Sequence, residues 1–513
     1  MRTANSMKNV AVVLIGQVLN ILLSFGARII FVRILNAEYL GVNGLFTDVL
    51  SILSLAELGF GSAVIYGLYK PLAVKDEKKI KALMNFYAFS YKVIGFTVLV
   101  LGLGLLPFLN SIIKDAPDIS NLNIIYLLYL ANSVVTYFYA YKRSLIIADQ
   151  KNYIVTFYKS AFLFIATTAQ VIVLLATKDF VLYLVVRIIF SFIENIFVAR
   201  KADSLYPFLK EKNKEKLEIT DRKAIFRNIK ALMYHRIGSV AVEGTDNILI
   251  SSIVGIVWVG LYSNYSLIIG AINSIMNQVF ESVTASVGNL NALESKEKSF
   301  DIYKLMLLIN FWIFGFCAIS LYILLNPFIT LWLGTKYVMS QWIVALIVIN
   351  FYIKGFRKTT LVFKDAYGLF WNDRYKPIAE ASVNLIVSLI LARYYGISGI
   401  LFGTFISSMT TVVWIEPFVV YKNGFKKSVT DYFKRFTGYA LATLAAAILT
   451  TLISSFIPED LFLNFSLKVM ICIIIPNSFF LLIFSRTNEF KSVFEIIKVV
   501  VKRKKLLKLN SSD

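Results

Sequence analysis

The 513 residues contain two cysteines, one histidine and nine prolines. Both cysteines, Cys317 and Cys472, lie inside apolar runs. That placement argues against a disulfide framework or a thiolate metal site and leaves them as small core residues. The histidine, His235, stands beside Arg236 with no carboxylate constellation nearby in sequence, so the usual means of acid–base catalysis are missing. Large polar loops that could hold a substrate outside a membrane are also missing, and a membrane-bound enzyme is correspondingly disfavoured. No secretory signal with a small-residue cleavage pattern is evident, because the first apolar segment runs on past Gly26. It is expected to be a spanning helix itself.

What the chain has in abundance is apolar surface. Hydrophobic residues make up 58% of it, and its mean hydropathy is +0.70. Apolar runs near ~20 residues, the length a hydrocarbon core demands, follow one another with short polar breaks. This pattern predicts an all-α polytopic membrane protein. Spans are placed at roughly 9–34, 41–68, 83–108, 121–141, 153–176 and 180–200, then 230–254, 258–285, 303–326, 339–360, 377–394, 397–421, 436–457 and 463–485, about fourteen helices. The longest polar linker, from residue 199 to 230, divides them into six and eight. The expected organisation is therefore an N-lobe (1–200), a cytoplasmic linker (201–229), a C-lobe (230–421), two further helices (422–485) and a basic amphipathic tail (486–513).

Lysine and arginine collect in the even-numbered connections, for example at Lys75, Lys78, Lys79 and Lys81, at Lys142 and Arg143, and at Lys422, Lys426 and Lys427. The odd-numbered ones, NAEYLG, ATKD and VGIV among them, are nearly bare. Basic short loops resist translocation, so both termini are expected in the cytoplasm. The formal net charge of +22 then reflects topology and attraction to anionic inner-leaflet lipid, not nucleic-acid binding.

The first span carries two arginines where charge costs at least ~2.5 kcal/mol at the bilayer centre. At ~100° per residue, Gln17, Asn20, Ser24 and Arg28 fall within an arc of about 80°, while Arg33 lies opposite and near the helix end. Arg33 can snorkel to the interface. Arg28 sits deeper and needs a protein partner or water. The second half offers a comparison, since NAEYLGV laid over GIVWVGL matches Tyr39 and Gly41 to Trp258 and Gly260, an offset of 219 from 260 minus 41. The same offset pairs Gln17 with Arg236, Asn20 with Ser239, Ser24 with Glu243 and Arg28 with Asn247. Polar meets polar each time, which predicts parallel repeats and a substrate between them.

The following helices extend the pattern. Asn43, Thr47, Ser51, Ser54, Glu57 and Gly61 fall within about 120° on the second, and Asn273, Asn277, Glu281 and Thr284 within about 80° on the eighth. Four polar faces in equivalent places predict a hydrated cavity. Its candidate residues are Arg28, Gln17, Asn20, Ser24, Asn43, Ser54, Glu57, Arg236, Glu243, Asp246, Asn247, Asn273, Asn277 and Glu281. Among these the buried ionisable groups Arg28, Glu57, Glu243 and Asp246 carry most weight, with an ion pair from Arg28 to Glu57 or Asp246 as one arrangement.

The stretches RIIFVRILNAEYLGVNGLF, LAELGFGSAVIYGLY, YFYAYKRSLIIADQKNYI, GFRKTTLVFKDAYGLFWNDRYKPIAEA and YYGISGILFGTFIS give the chain its family likeness. It resembles the Wzx-type polysaccharide flippases of the multidrug/oligosaccharidyl-lipid/polysaccharide exporter superfamily over nearly its whole length. An FY pair, two basic residues and an aspartate recur in both halves: Phe138, Tyr139, Lys142, Arg143 and Asp149, then Phe351, Tyr352, Arg357, Lys358 and Asp365.

The resemblance implies two six-helix lobes around a cavity, two extra C-terminal helices, and alternating access in the bacterial cytoplasmic membrane. Its implied cargo is an undecaprenyl-pyrophosphate-linked oligosaccharide destined for capsule, exopolysaccharide or O-antigen. No cofactor is implied beyond coupling to a proton or sodium gradient through Glu57, Glu243 or Asp246. Partners would be the anionic lipid-linked glycan, anionic membrane lipids and the polysaccharide polymerase with its chain-length machinery. An arginine such as Arg28 can hold phosphate oxygens in a bidentate way. Lipid II flippases of the superfamily similarly carry an arginine near the outer end of the first helix. Here its counterpart is Asn247, beside Asp246, which weakens a lipid II assignment. A drug/cation antiporter of the same superfamily is the alternative, and a membrane enzyme of polysaccharide assembly a more distant one.

Overall fold

The computed structural model describes residues 2–57, 60–114, 119, 121–211, 217–219, 221–223, 225–226, 229, 233, 244–457, 461–493 and 495. Among them the secondary structure is helical throughout. The principal helices are α1 (Arg2–Ile34), α2 (Ala37–Leu53), α3 (Phe60–Val74), α4 (Glu77–Leu105), α5 (Leu122–Tyr137), α6 (Ala140–Ala148), α7 (Asn152–Thr177) and α8 (Phe180–Leu205). They continue with α9 (Thr245–Leu249), α10 (Ile256–Leu293), α11 (Lys296–Leu333), α12 (Gln341–Phe356), α13 (Lys358–Ala366) and α14 (Lys376–Tyr395). The last are α15 (Ile397–Thr410), α16 (Val412–Val419), α17 (Thr430–Ser454) and α18 (Leu461–Phe484).

Eleven helical segments among the described residues are long and apolar enough to cross a membrane, and twelve if α5 and α6, bent by 47°, form one span. This is a multi-pass membrane protein. The difference from about fourteen expected spans has local causes. The tenth stretch divides at Arg357, leaving α12 with 16 residues, and the described part of the seventh is only Thr245–Val254.

The second stretch, expected as one helix over 41–68, is broken as well. After Leu53 the backbone tightens into a 3-10 turn, Ser54–Glu57, before α3 begins at Phe60. Ser54 Oγ donates to the Ser51 carbonyl at 2.5 Å, and the Glu57 carboxylate accepts from the Gly61 amide at 3.2 Å. Such local side-chain bonds compete with helix continuation. The polar face counted from Asn43 to Gly61 is therefore split between elements and does not form one stripe.

The chain forms two compact units, Met1–Leu267 with Ser388–Ile400, and Ile268–Val387 with Leu401–Asp513. In the first, α1 packs along α7, α7 along α8, and α5 against α8 and α4. Asp76 caps α4 by accepting from the Lys79 amide at 3.0 Å, and Asp179 caps α8 through Val181 at 2.6 Å, each satisfying an orphan helix donor. Described parts of the polar linker are tied to the start of α4 by Lys79 with Asp221 at 2.9 Å and Lys81 with Glu211 at 2.5 Å.

The second unit holds a network of buried charges. Arg357, where α12 gives way to α13, donates to Glu416 of α16 through Nε at 2.9 Å and Nη2 at 2.6 Å. Lys376 also donates to Glu416, and Lys364 pairs with Asp373 at 2.7 Å. Glu416 and Asp373 are wholly buried side chains. Around this cluster packs an aromatic core in which Tyr303 meets Phe363 edge-on at 5.1 Å and Phe311 stacks on Tyr439 at 4.4 Å.

A basic cavity as the candidate functional site

A cavity of about 360 Å³ opens in the first unit, walled by α1, α2, α5, α7, α8 and the start of α10. Three basic side chains line it, Arg28, Lys159 and Arg187, against one carboxylate, Glu194. Glu194 is already engaged, because Arg143 Nη2 donates to its Oε1 at 2.9 Å, and Arg143 is not part of the lining. Positive charge therefore prevails. In a low-dielectric wall such charge focuses its field on an entering anion.

Arg28 does not use the acidic partners offered by the sequence. Its Nη1 donates to Ser263 Oγ at 3.0 Å and to Asn264 Oδ1 at 3.3 Å, both on α10. Neutral acceptors orient the guanidinium without cancelling its charge, which leaves that charge open to an anion. Arg187 lies 5.7 Å from the centre of the Tyr129 ring, and the Tyr129 hydroxyl donates to Asn43 Oδ1. Gln170 donates to the Tyr183 carbonyl at 3.1 Å. Asn132 contributes Oδ1, an acceptor with no hydrogen-bond partner among the described residues.

Of the residues expected from sequence, Arg28, Ser24 and Asn43 come together in this cavity. Gln17 and Asn20 share α1 with them, and Ser24 Oγ donates to the Asn20 carbonyl at 2.7 Å, but neither lines it. Ser54 and Glu57 lie in the 3-10 turn, where Tyr91 reaches Glu57 at 3.5 Å. Asn247 donates to Asp48 Oδ2 at 2.7 Å, next to Asp246. Asn273, Asn277 and Glu281 lie on α10 in the second unit, where Lys358 donates to Asn277. Arg236 and Glu243 lie outside the described residues.

Lys159, Arg187 and Glu194 are not among the residues expected from sequence, although the chain carries a signal for them. On α7, Lys159, Leu163, Thr167 and Gln170 recur at helical spacing, as do Tyr183, Arg187, Ser191 and Glu194 on α8. Each series places its members on one face.

The repeat reappears as contacts. Arg28 reaches α10, and its counterpart at an offset of 219, Asn247, reaches α2. A Cβ built on Gly41 would stand 2.1 Å from the Ile256 carbonyl oxygen, and one on Gly260 would stand 2.1 Å from that of Ala37. Adding 219 to 37 and 41 gives 256 and 260, so the contact is its own image under the repeat.

No family model matches the chain, and no curated protein matches it by sequence. Solved structures do match in fold. One is the lipid II flippase MurJ in an inward closed conformation, with TM-score 0.63 and 15% identity over 93% of this chain and 98% of that one. An inward-facing multidrug resistance MATE family transporter gives TM-score 0.61 at 14% identity, over 80% of this chain and 96% of that one. A MOP superfamily transporter from Pyrococcus furiosus, described as having a binding pocket of reversed polarity, gives 0.56 at 12% identity, over 83% and 97%. Each of these is described as a flippase or transporter, not as an enzyme. This chain shares the fold of these flippase and transporter structures.

Proposed function

We propose that the protein is a flippase that carries an undecaprenyl-pyrophosphate-linked oligosaccharide repeat unit from the inner to the outer leaflet of the bacterial cytoplasmic membrane. It works by alternating access of two halves, residues 1–200 and 230–421, with both termini in the cytoplasm and a proton or sodium gradient as driving force. The observation that carries this reading is the charge of the cavity, three basic side chains against one carboxylate that Arg143 already holds. A diphosphate diester is matched by such a site, with charge-assisted bonds of ~1.5–3 kcal/mol each. Asn43, Asn132 and Thr167 offer polar groups for sugar hydroxyls, and Phe162 and Phe190 offer ring faces. The same excess of positive charge repels a cationic drug, which disfavours the antiporter alternative. Capsule, exopolysaccharide and O-antigen assembly all use such a step.

The test is the leaflet distribution of lipid-linked oligosaccharide in cells lacking the gene. Inner-leaflet accumulation relieved by the wild-type gene but not by Arg28→Ala is expected. An unchanged pool and leaflet distribution in the deletion strain would contradict the proposal.

A further inference from the structure

The contact between the start of α2 and the start of α10 is closer than side-chain packing allows. Gly41 and Gly260 each face a backbone carbonyl oxygen at a distance that would place a Cβ 2.1 Å away, against 3.4–4 Å for ordinary contact. Since the obstructing atom is main chain, no trimming of a partner side chain makes room. Only separation of the helices by 1 Å or more does. Glycine at such crossings lets two backbones meet, an arrangement familiar where membrane helices pack through small residues. One turn further along, Gly44 faces the Val259 side chain, with a Cβ 3.1 Å from its Cγ1, and Asn247 donates to Asp48 at 2.7 Å. Leu40 and Asn43, on either side of Gly41, line the basic cavity.

Both turns that bring these glycines together, NAEYLG and VGIV, belong to the connections poor in lysine and arginine, on the extracytoplasmic side of the orientation argued above. We propose that the Gly41–Gly260 crossing is the steric latch of the outer gate. The starts of α2 and α10 close over the cavity through main-chain contact at this pair, and any side chain at either position holds the gate ajar. The inference rests on the transport reading and that orientation, but not on the cargo. Because the contact is reciprocal, Gly41→Ala and Gly260→Ala should act alike.

The test uses the full chain in intact cells, with Cys317→Ser and Cys472→Ala as background and Ser24→Cys as a reporter in the cavity wall. A membrane-impermeant thiol reagent added outside should label the reporter about tenfold faster when Gly41 or Gly260 is alanine, as expected when a minor open state becomes common. Gly26→Ala, whose added Cβ meets no side chain or neighbouring element within 4 Å, should leave the rate unchanged. Equal labelling in parent and in both alanine variants, at equal membrane abundance, would overturn the latch.

Should the alanine variants fail to accumulate, a Gly44→Cys/Val259→Cys pair tests the same closure with both glycines intact. Oxidation should cross-link the pair and suppress labelling of the reporter, and reductant should restore it. A pair that does not cross-link, or a cross-linked protein still labelled from outside, would equally overturn it. All of these measurements read gate geometry without substrate, so the latch can fail while the glycan proposal stands, and the reverse.

Discussion

Replacing Arg28 with glutamate should lower affinity for a prenyl pyrophosphate about a hundredfold or more, equivalent to the loss of roughly 3 kcal/mol of charge-assisted bonding plus new repulsion. The cavity has three basic side chains and one carboxylate, and the exchange leaves two of each. The fold should survive, because the partners of Arg28 among the described residues are the neutral Ser263 and Asn264. Arg28→Lys keeps the charge but not the planar pair of donors, so an intermediate loss is expected. Equilibrium binding to the purified protein, compared with the uncharged prenyl alcohol, separates a phosphate effect from a lipid effect. Equal affinity of Arg28→Glu and wild type for the pyrophosphate would remove Arg28 from the site.

The second large effect lies far from the cavity in kind. Glu416→Ala should destabilise the protein by ~3–5 kcal/mol, the usual consequence of stranding buried charge. Its carboxylate, with no exposed side-chain surface, receives Arg357 and Lys376 together, and alanine leaves both cations without it. Thermal unfolding in detergent should show a lower midpoint and a smaller yield of folded protein. Glu194→Ala makes the comparison, since Arg143 and Glu194 retain 30% and 16% of their side-chain exposure and such pairs contribute about 1 kcal/mol or less. A Glu416→Ala protein as stable as wild type would show that the network around Arg357 carries no net weight.

The two ion pairs also show what recurs in the repeat and what differs. Each half has a bend followed by basic residues, and in each an arginine reaches a glutamate on a later helix, Arg143 to Glu194 and Arg357 to Glu416. In the first unit the glutamate opens onto the cavity. In the second it is sealed by Lys376. The same device thus borders the basic cavity in one half and holds helices together in the other.

Much of this was legible in the chain. Apolar length placed eleven or twelve of the fourteen expected spans, and one arginine with a polar stripe picked out α1, of which Ser24 and Arg28 but not Gln17 and Asn20 line the basic cavity. The offset of 219 residues, drawn from an aromatic-x-glycine match, pointed to a repeat but to no contact, and the reciprocal approach of Gly41 and Gly260 emerges only from the packing of α2 on α10. What was not legible has physical causes. Breaks in α-helices depend on side chains bonding their own backbone, as Ser54 and Glu57 do, and hydropathy is blind to that. Lys159 and Arg187 lie as far inside their expected spans as Arg28 does in its own, so depth does not set them apart, and only the faces they share with Thr167 and Gln170, and with Ser191 and Glu194, mark them. Only the packing of α7 and α8 beside α1 turns those two side chains toward Arg28.

The most direct measurement is transport itself. Purified protein in liposomes, supplied with a fluorescent lipid-linked oligosaccharide pyrophosphate on one leaflet, should bring that lipid into reach of a quencher on the other side. Arg28→Glu protein should leave it where it was placed. No movement of the glycan lipid by wild-type protein, with export of a cationic dye from the same liposomes, would contradict the account and assign the cavity to a different cargo.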